Sequence, residues 1–212
     1  MSGNYLLYLG TAALWTIGLS LMAMVGGGLL GFCIALLRIS PVKLFSWAAI
    51  AYIQIVQGIP LLVLLFISYF GFSIAGFNPS PLVTVVIAFS VYSAAYLGEI
   101  WRGSIQSVSK TQWEASACLG FPRHLQLRQI IIPQAIRIAT PPTVGFMVQL
   151  IKNTSLASVV GFIELARAGQ ILNNTLFQPF TVFLFVALIY FCLCFPLSYI
   201  SKKLESSYVP SR

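Results

Sequence analysis

Acidic side chains are almost missing from this chain of 212 residues: four glutamates, Glu99, Glu114, Glu164 and Glu205, and no aspartate. His124 is the single histidine. Paired carboxylates, histidine clusters and serine–histidine–acid triads are therefore hard to assemble, which argues against a hydrolase or a metalloenzyme. No glycine-rich segment ends in lysine followed by serine or threonine, so the chain has no phosphate cradle of its own. Energy, where it is used, must come from a partner or an ion gradient. Charge of either sign is scarce too: 8% of residues are charged and 58% hydrophobic, whereas a soluble domain is about a quarter charged.

What is abundant is uninterrupted apolar sequence. Residues 1–37, 44–98 and 168–201 carry no charge, and a membrane-crossing helix needs about 20 apolar residues. No lysine or arginine precedes the first run, which lacks the basic start of a cleaved signal peptide and reads as a retained helix. The second run is too long for one crossing, and GFSIAGFNPSP (Gly71–Pro81) interrupts it with turn-forming residues. Between Arg137 and Lys152 only 14 uncharged residues occur, with Pro141 and Pro142 among them. Hydropathy alone would leave that stretch re-entrant or buried.

Loop charge decides the topology, because cytoplasmic loops carry the excess of lysine and arginine. Arg38 and Lys43 place the first loop inside; Arg102, Lys110, Arg123 and Arg128 place the third inside; Lys202 and Lys203 place the C-terminus inside. Five crossings with the N-terminus outside satisfy all of these, and four would export the lysine pair. The expected architecture is an all-α polytopic membrane protein, one transmembrane domain over 1–212, with spans near 11–37, 47–70, 82–102, 133–153 and 179–200. The fourth span must be sheltered by protein, since Lys152, Asn153 and two prolines are costly against lipid. The net charge of +8 reflects this topology rather than nucleic-acid binding.

Smaller signals concern packing. Gly27 and Gly31 have the four-residue spacing at which helix backbones approach closely. Gly58 and Pro60 in VQGIP should bend the second span. Cys33, Cys118, Cys192 and Cys194 lie in separate settings that suit free thiols and no metal.

The cytoplasmic loop SKTQWEASACLGFP holds a short helix of its own. Thr111 lies three residues before Glu114, the spacing at which a threonine caps a helix start while the glutamate bonds back to the cap's amide. Gly120 suits the left-handed stop position, with Pro122 beyond it. The expected helix, 112–119, is about 12 Å long and cannot cross a membrane. Ala115, Ser116 and Ala117 let another surface come close, and Trp113 and Leu119 offer apolar anchors for a partner's groove. On local features a plain surface link between two spans explains it equally well.

The order Glu114-Ala115-Ser116, three residues, Gly120, nine residues, Ile130, one residue, Ile132-Pro133 resembles the EAA loop of membrane subunits of bacterial ABC importers. Ser116 replaces the usual third small residue and Ile132 the usual leucine. AAYLGEIWRGSIQSV (Ala94–Val108), PQAIRIATPP (Pro133–Pro142) and KNTSLASVVGFIELARAGQ (Lys152–Gln170) resemble the polar amino-acid branch of that family. The resemblance implies a type I importer permease fold, in which the short loop helix is a coupling helix. The motif positions Glu114, Ala115 and Gly120, with Ser116 between them and with Trp113 and Leu119 added from helix geometry, would then dock on a cytoplasmic pair of ATP-binding subunits. It also implies a second permease chain, identical or homologous, a periplasmic amino-acid-binding protein, and location in the inner membrane with the N-terminus periplasmic. The permease would bind no cofactor, ATP and Mg being held by the ATPase, and would carry a polar amino acid by alternating access.

Polar side chains at membrane depth are candidates for the solute path: Gln54, Gln57, Lys152, Asn153, Thr154, Glu164 and Arg167. Glu164 could meet a solute ammonium, and Lys152 or Arg167 its carboxylate; an internal ion pair is the plainer alternative. The chain has Gln57-Gly58-Ile59-Pro60 where the family often has Arg-Gly-Thr-Pro. Two rival readings are a small gradient-driven carrier, which would need Glu99 or Glu164 as an ion-binding carboxylate, and a noncatalytic assembly subunit. Both leave the loop motif unexplained.

Overall fold

The computed structural model describes residues 3–208, and no strand occurs among them. Three helices are long and apolar enough to cross a membrane unbroken: α1 (Gly3–Arg38), α4 (Pro81–Gln106) and α9 (Pro179–Tyr208). Two further crossings are bent pairs. In the first, α2 (Lys43–Gly58) meets α3 (Leu61–Ile74) at 103°. In the second, residues 123–160, which include the single turn α6 (Arg123–Leu125), α7 (Ile132–Asn153) and a 3-10 turn (Thr154–Val160), meet α8 (Leu165–Leu176) at 53°. With each pair counted once there are five crossings, the all-α polytopic arrangement reached from loop charge.

The second span is therefore not the continuous rod expected over 47–70. Ile59 (φ −102°, ψ 130°) and Pro60 (φ −57°, ψ 136°) are extended, and Pro60 has no N–H with which to continue α2. The break is held from one side, because Leu61 and Leu65 enter the core beside Val85, Phe89 and Leu150. The α2 half is tied separately by the Tyr52 hydroxyl, which donates to the Val91 carbonyl (2.7 Å).

α4 is the central helix. Ser80 caps it and Pro81 occupies its first turn, where a missing N–H costs nothing. Its closest neighbour is α1: a Cβ added at Gly27 would lie 2.3 Å from Ser93 Cβ, and one at Gly31 would lie 3.0 Å from the Ala94 carbonyl. Such small residues let helix backbones pack where lipid supplies no hydrophobic drive.

α7 carries Pro141 and Pro142 within its length and lies between α4 and α9. Phe146 and Leu150 enter the core shared with α4, Val148 and Ile151 pack with Cys194 of α9, and the Ser201 hydroxyl donates to the Pro141 carbonyl (2.8 Å). At the other end, α8 fits between α1 and α9 through Leu165, Ala168 and Leu172.

Candidate functional site

Helix α5 (Lys110–Cys118) follows α4 after a three-residue turn. Its cap is Ser109, not Thr111. The Ser109 hydroxyl accepts from the Thr111 N–H (3.3 Å) and donates to Thr111 Oγ1 (3.2 Å). Two hydroxyl residues stand two apart, and the earlier one takes the extended backbone a cap needs (φ −49°, ψ 135°). Glu114 is consequently a turn too deep to reach back to the cap. It is exposed and makes no hydrogen bond or ion pair among the described residues.

The far end closes with two backbone bonds, Gly120 N–H to the Ala117 carbonyl (2.9 Å) and Phe121 N–H to the Ser116 carbonyl (3.2 Å). This pairing requires a left-handed residue at the stop, and Gly120 has φ +77°. A Cβ there would touch nothing within 4 Å, so the restriction is one of backbone conformation and not of space.

α5 is held to its own chain along one face. Trp113 packs, half-buried, on Ile105 of α4 and Val108 just beyond it, and on Ile131 just before α7 and Ala135 within it. Ser116 is buried, and its hydroxyl donates to the Trp113 carbonyl (2.8 Å). Trp113 is thus an inward anchor and not a side chain offered outward. The opposite face presents Thr111, Glu114, Ala115 and Cys118, with Leu119 75% exposed at its edge.

The second half of the motif lies underneath this helix. Ile130 and the fully buried Ile131 join the cluster that supports Trp113. Ile132 lines an apolar cavity of about 380 Å³ with Phe32, Trp101, Ile105 and Thr143. Beside α5 a more polar cavity of about 520 Å³ is lined by Gln106, Lys110, Trp113, Glu114, Arg123 and Gln126. The long spacing within the motif is therefore the path from an exposed helix to its own foundation.

The membrane-depth candidates separate into two groups. Glu164, with no exposed surface, caps α8: its carboxylate accepts from the N–H groups of Ala166 (2.9 Å) and Arg167 (2.8 Å) and from the Tyr190 hydroxyl (2.8 Å). Thr16 of α1 accepts from the Leu165 N–H (3.1 Å) at the same point. A carboxylate so enclosed has no face left for a solute ammonium, which overturns that assignment. Thr154 is also fully buried, its hydroxyl donating to the Ile151 carbonyl (2.7 Å), and Arg167 donates to Gln170 (3.1 Å). Gln57 is exposed and reaches the Ala95 carbonyl of α4 at 3.5 Å.

Lys152 and Gln54 remain exposed, with no hydrogen bond to either side chain among the described residues, and Asn153 is half-buried. Gln149, which drew no notice in the sequence, is exposed one turn before Lys152 and continues a stripe with Ile138 and Pro142. The i, i+3 spacing of Gln149 and Lys152 was the available signal. Thr16 and Tyr190 could not be found that way, because they meet Glu164 only through the fold.

Comparison with known proteins is extensive. The family model described as "Binding-protein-dependent transport system inner membrane component" matches residues 27–209. The probable amino-acid ABC transporter permease protein YckA of Bacillus subtilis is 40% identical over 194 residues, covering 92% of this chain and 86% of that protein. The L-cystine transport system permease protein TcyB of the same organism is 38% identical over 90% of this chain and 82% of its own length. Among solved structures, an amino acid ABC transporter with histidines superposes with a TM-score of 0.90 at 32% identity, covering 95% and 94% of the two chains. The MetNI methionine ABC transporter shares the fold, with a TM-score of 0.83 at 18% identity over 99% of this chain and all of that one.

Proposed function

The chain belongs to the family of inner-membrane components of binding-protein-dependent transport systems, and from that membership we propose a particular way of working for this permease subunit of an ABC importer. It pairs with a second permease chain, identical or homologous, and rests on two cytoplasmic ATP-binding subunits that hold the ATP and Mg. A periplasmic binding protein delivers a polar amino acid, which crosses by alternating access. The N-terminus is periplasmic and the C-terminus cytoplasmic, as loop charge requires.

The observation that carries this reading is α5. It is a short helix closed at both ends, seated on its own chain through Trp113 and Ser116, with Glu114, Ala115 and Leu119 turned outward. Such a helix moves as a body, so displacement of its outer face is passed to α4 and α7 through the Ile105–Ile131 cluster beneath it. On the solute side, Lys152 and Gln149, exposed on one stripe of α7, are polar groups suited to a carboxylate. Relatives are named as a probable glutamine permease, an L-cystine permease and an arginine permease, and these names support an amino acid as cargo here.

The gradient-driven alternative needs a free membrane carboxylate. Glu164 is enclosed at the start of α8, and Glu99 is paired with Arg102 on its own helix. The test is purification with the ATP-binding subunit, followed by uptake in reconstituted vesicles with a cognate binding protein. ATP-dependent uptake of a polar amino acid is expected. Uptake that follows an ion gradient and ignores ATP would overturn the reading.

A further inference from the structure

The segment joining α5 to α7 is wound more widely than its neighbours: Gln126–Ile131 forms a π-helix, and the Ile132 N–H donates to the Leu127 carbonyl five residues back. Such turns are rare and gather at functional sites. Pro133 supplies the physical cause. In a continuous α-helix its ring would press on the Gln129 carbonyl four residues back and its nitrogen could donate nothing. One extra residue in the preceding turn moves that carbonyl aside.

The surroundings hold the wide turn at both ends. Gln126 Nε2 donates to the Phe121 carbonyl (2.7 Å), and Gln134 Nε2 donates to the Ile130 carbonyl (2.9 Å) and to Gln112 Oε1 of α5 (3.4 Å). On the inner side Ile131 is fully buried under Trp113, whereas Arg128 and Gln129 on the outer side are exposed. The extra residue is thus accommodated on the surface while the underside stays packed.

We propose that Pro133 is a positioning residue that locks this turn wide and thereby sets the rotation of α7 relative to α5. A residue added to an α-helix rotates the remainder of that helix by about 100°. If the same segment wound as plain α-helix, the whole stripe of α7, Pro142 together with Gln149 and Lys152, would turn away from its exposed face. The wide turn is what lets one chain present Glu114 to a cytoplasmic partner and Lys152 to a solute. The transport consequence rests on the reading of that stripe as part of the solute path; the register itself does not.

The experiment compares Pro133→Ala with the same substitution combined with deletion of the exposed Gln129. The first permits α-winding but keeps the extra residue, so α7 turns. The second removes the residue as well, so α7 winds straight and returns to its original face. Two measurements are made on the assembled transporter: uptake in vesicles, and labelling of Gln149→Cys by a polar maleimide in a background whose native cysteines are serine.

The single variant should lose uptake by about tenfold and lose labelling, and the combined variant should recover both. A generic need for proline, or for chain length, predicts the opposite: the combined variant would be the worse of the two. Wild-type labelling in Pro133→Ala, or failure of the deletion to restore it, overturns the proposal. A single variant that fails to reach the membrane while the combined one arrives supports it. Labelling that follows the register while uptake does not would leave the joint standing and overturn the solute-path reading instead.

Discussion

Two short helices in this chain each come with a glutamate, and the two glutamates do opposite work. At α5 the cap is a serine hydroxyl, and Glu114 stands exposed on the outer face without a partner among the described residues. At α8 the cap is Glu164 itself, enclosed by two backbone N–H groups and a tyrosine hydroxyl. The difference is one of surroundings. A helix start at a water-facing loop can be closed by any small polar side chain, whereas one packed between α1 and α9 needs an acceptor strong enough for several donors at once. The helix that meets water keeps its carboxylate free for another molecule.

The contrast can be broken most severely at Glu164. Glu164→Ala leaves two N–H groups and the Tyr190 hydroxyl without an acceptor in a dry site, which should cost roughly 3 kcal/mol. A large fall in the melting temperature of the detergent-solubilised chain is expected; an unchanged melt would mean that the α8 clasp is not structural. Gly120→Val comes next, because a β-branched residue in the left-handed region costs about 1–2 kcal/mol. It should fray the end of α5 while insertion persists, so that the partner's ATP hydrolysis continues and uptake falls. Normal uptake in reconstituted vesicles would refute the need for a rigid stop.

Smaller changes test which hydroxyl caps α5. Ser109→Ala should cost about 1 kcal/mol and speed hydrogen exchange at the Thr111 and Gln112 amides, whereas Thr111→Ala should leave those amides alone. The reverse pattern would restore Thr111 as the cap. Smallest of all in stability is Glu114→Gln, expected within about 0.5 kcal/mol of the parent. Its effect should appear instead as weaker retention of the ATP-binding subunit, with a shallower dependence on salt. A drop in thermal stability without any change in retention would return Glu114 to a local structural role.

The sequence exchanged the roles of these two residues; it pointed to a short helix at 112–119 and to none over 165–176, and the reason is specific. Ser109 and Thr111 both precede a plausible first turn, and Ser109-Lys-Thr-Gln112 fits the box spacing as well as Thr111-Gln-Trp-Glu114 does. Only the packing of Trp113 against Ile131, which lie 18 positions apart, decides the rotation of the helix. Glu164 looked available because Thr16 and Tyr190 are distant in the chain and invisible to local spacing. The bend at Gly58–Pro60 was legible as a bend, since proline removes a donor wherever it falls. Its size depends on how Leu61 and Leu65 are gripped by the core. The crossings themselves were the most legible feature, because lipid obliges every span to bond its own backbone and loop charge to follow orientation.

The seam between α1 and α4 bears on how such a chain can change over time. At Gly27 a methyl group would meet the Ser93 side chain at 2.3 Å and, beside it, the Ala94 nitrogen and the Ser90 carbonyl at 3.1 Å, so even glycine at position 93 leaves two backbone atoms in close approach. At Gly31 the obstacles are the Ala94 carbonyl and the Gly98 nitrogen, which no second substitution removes. Four residues apart on one helix, both positions face backbone that a second side-chain substitution cannot withdraw, so a lineage keeps the two glycines together or shifts α1 on α4 as a whole.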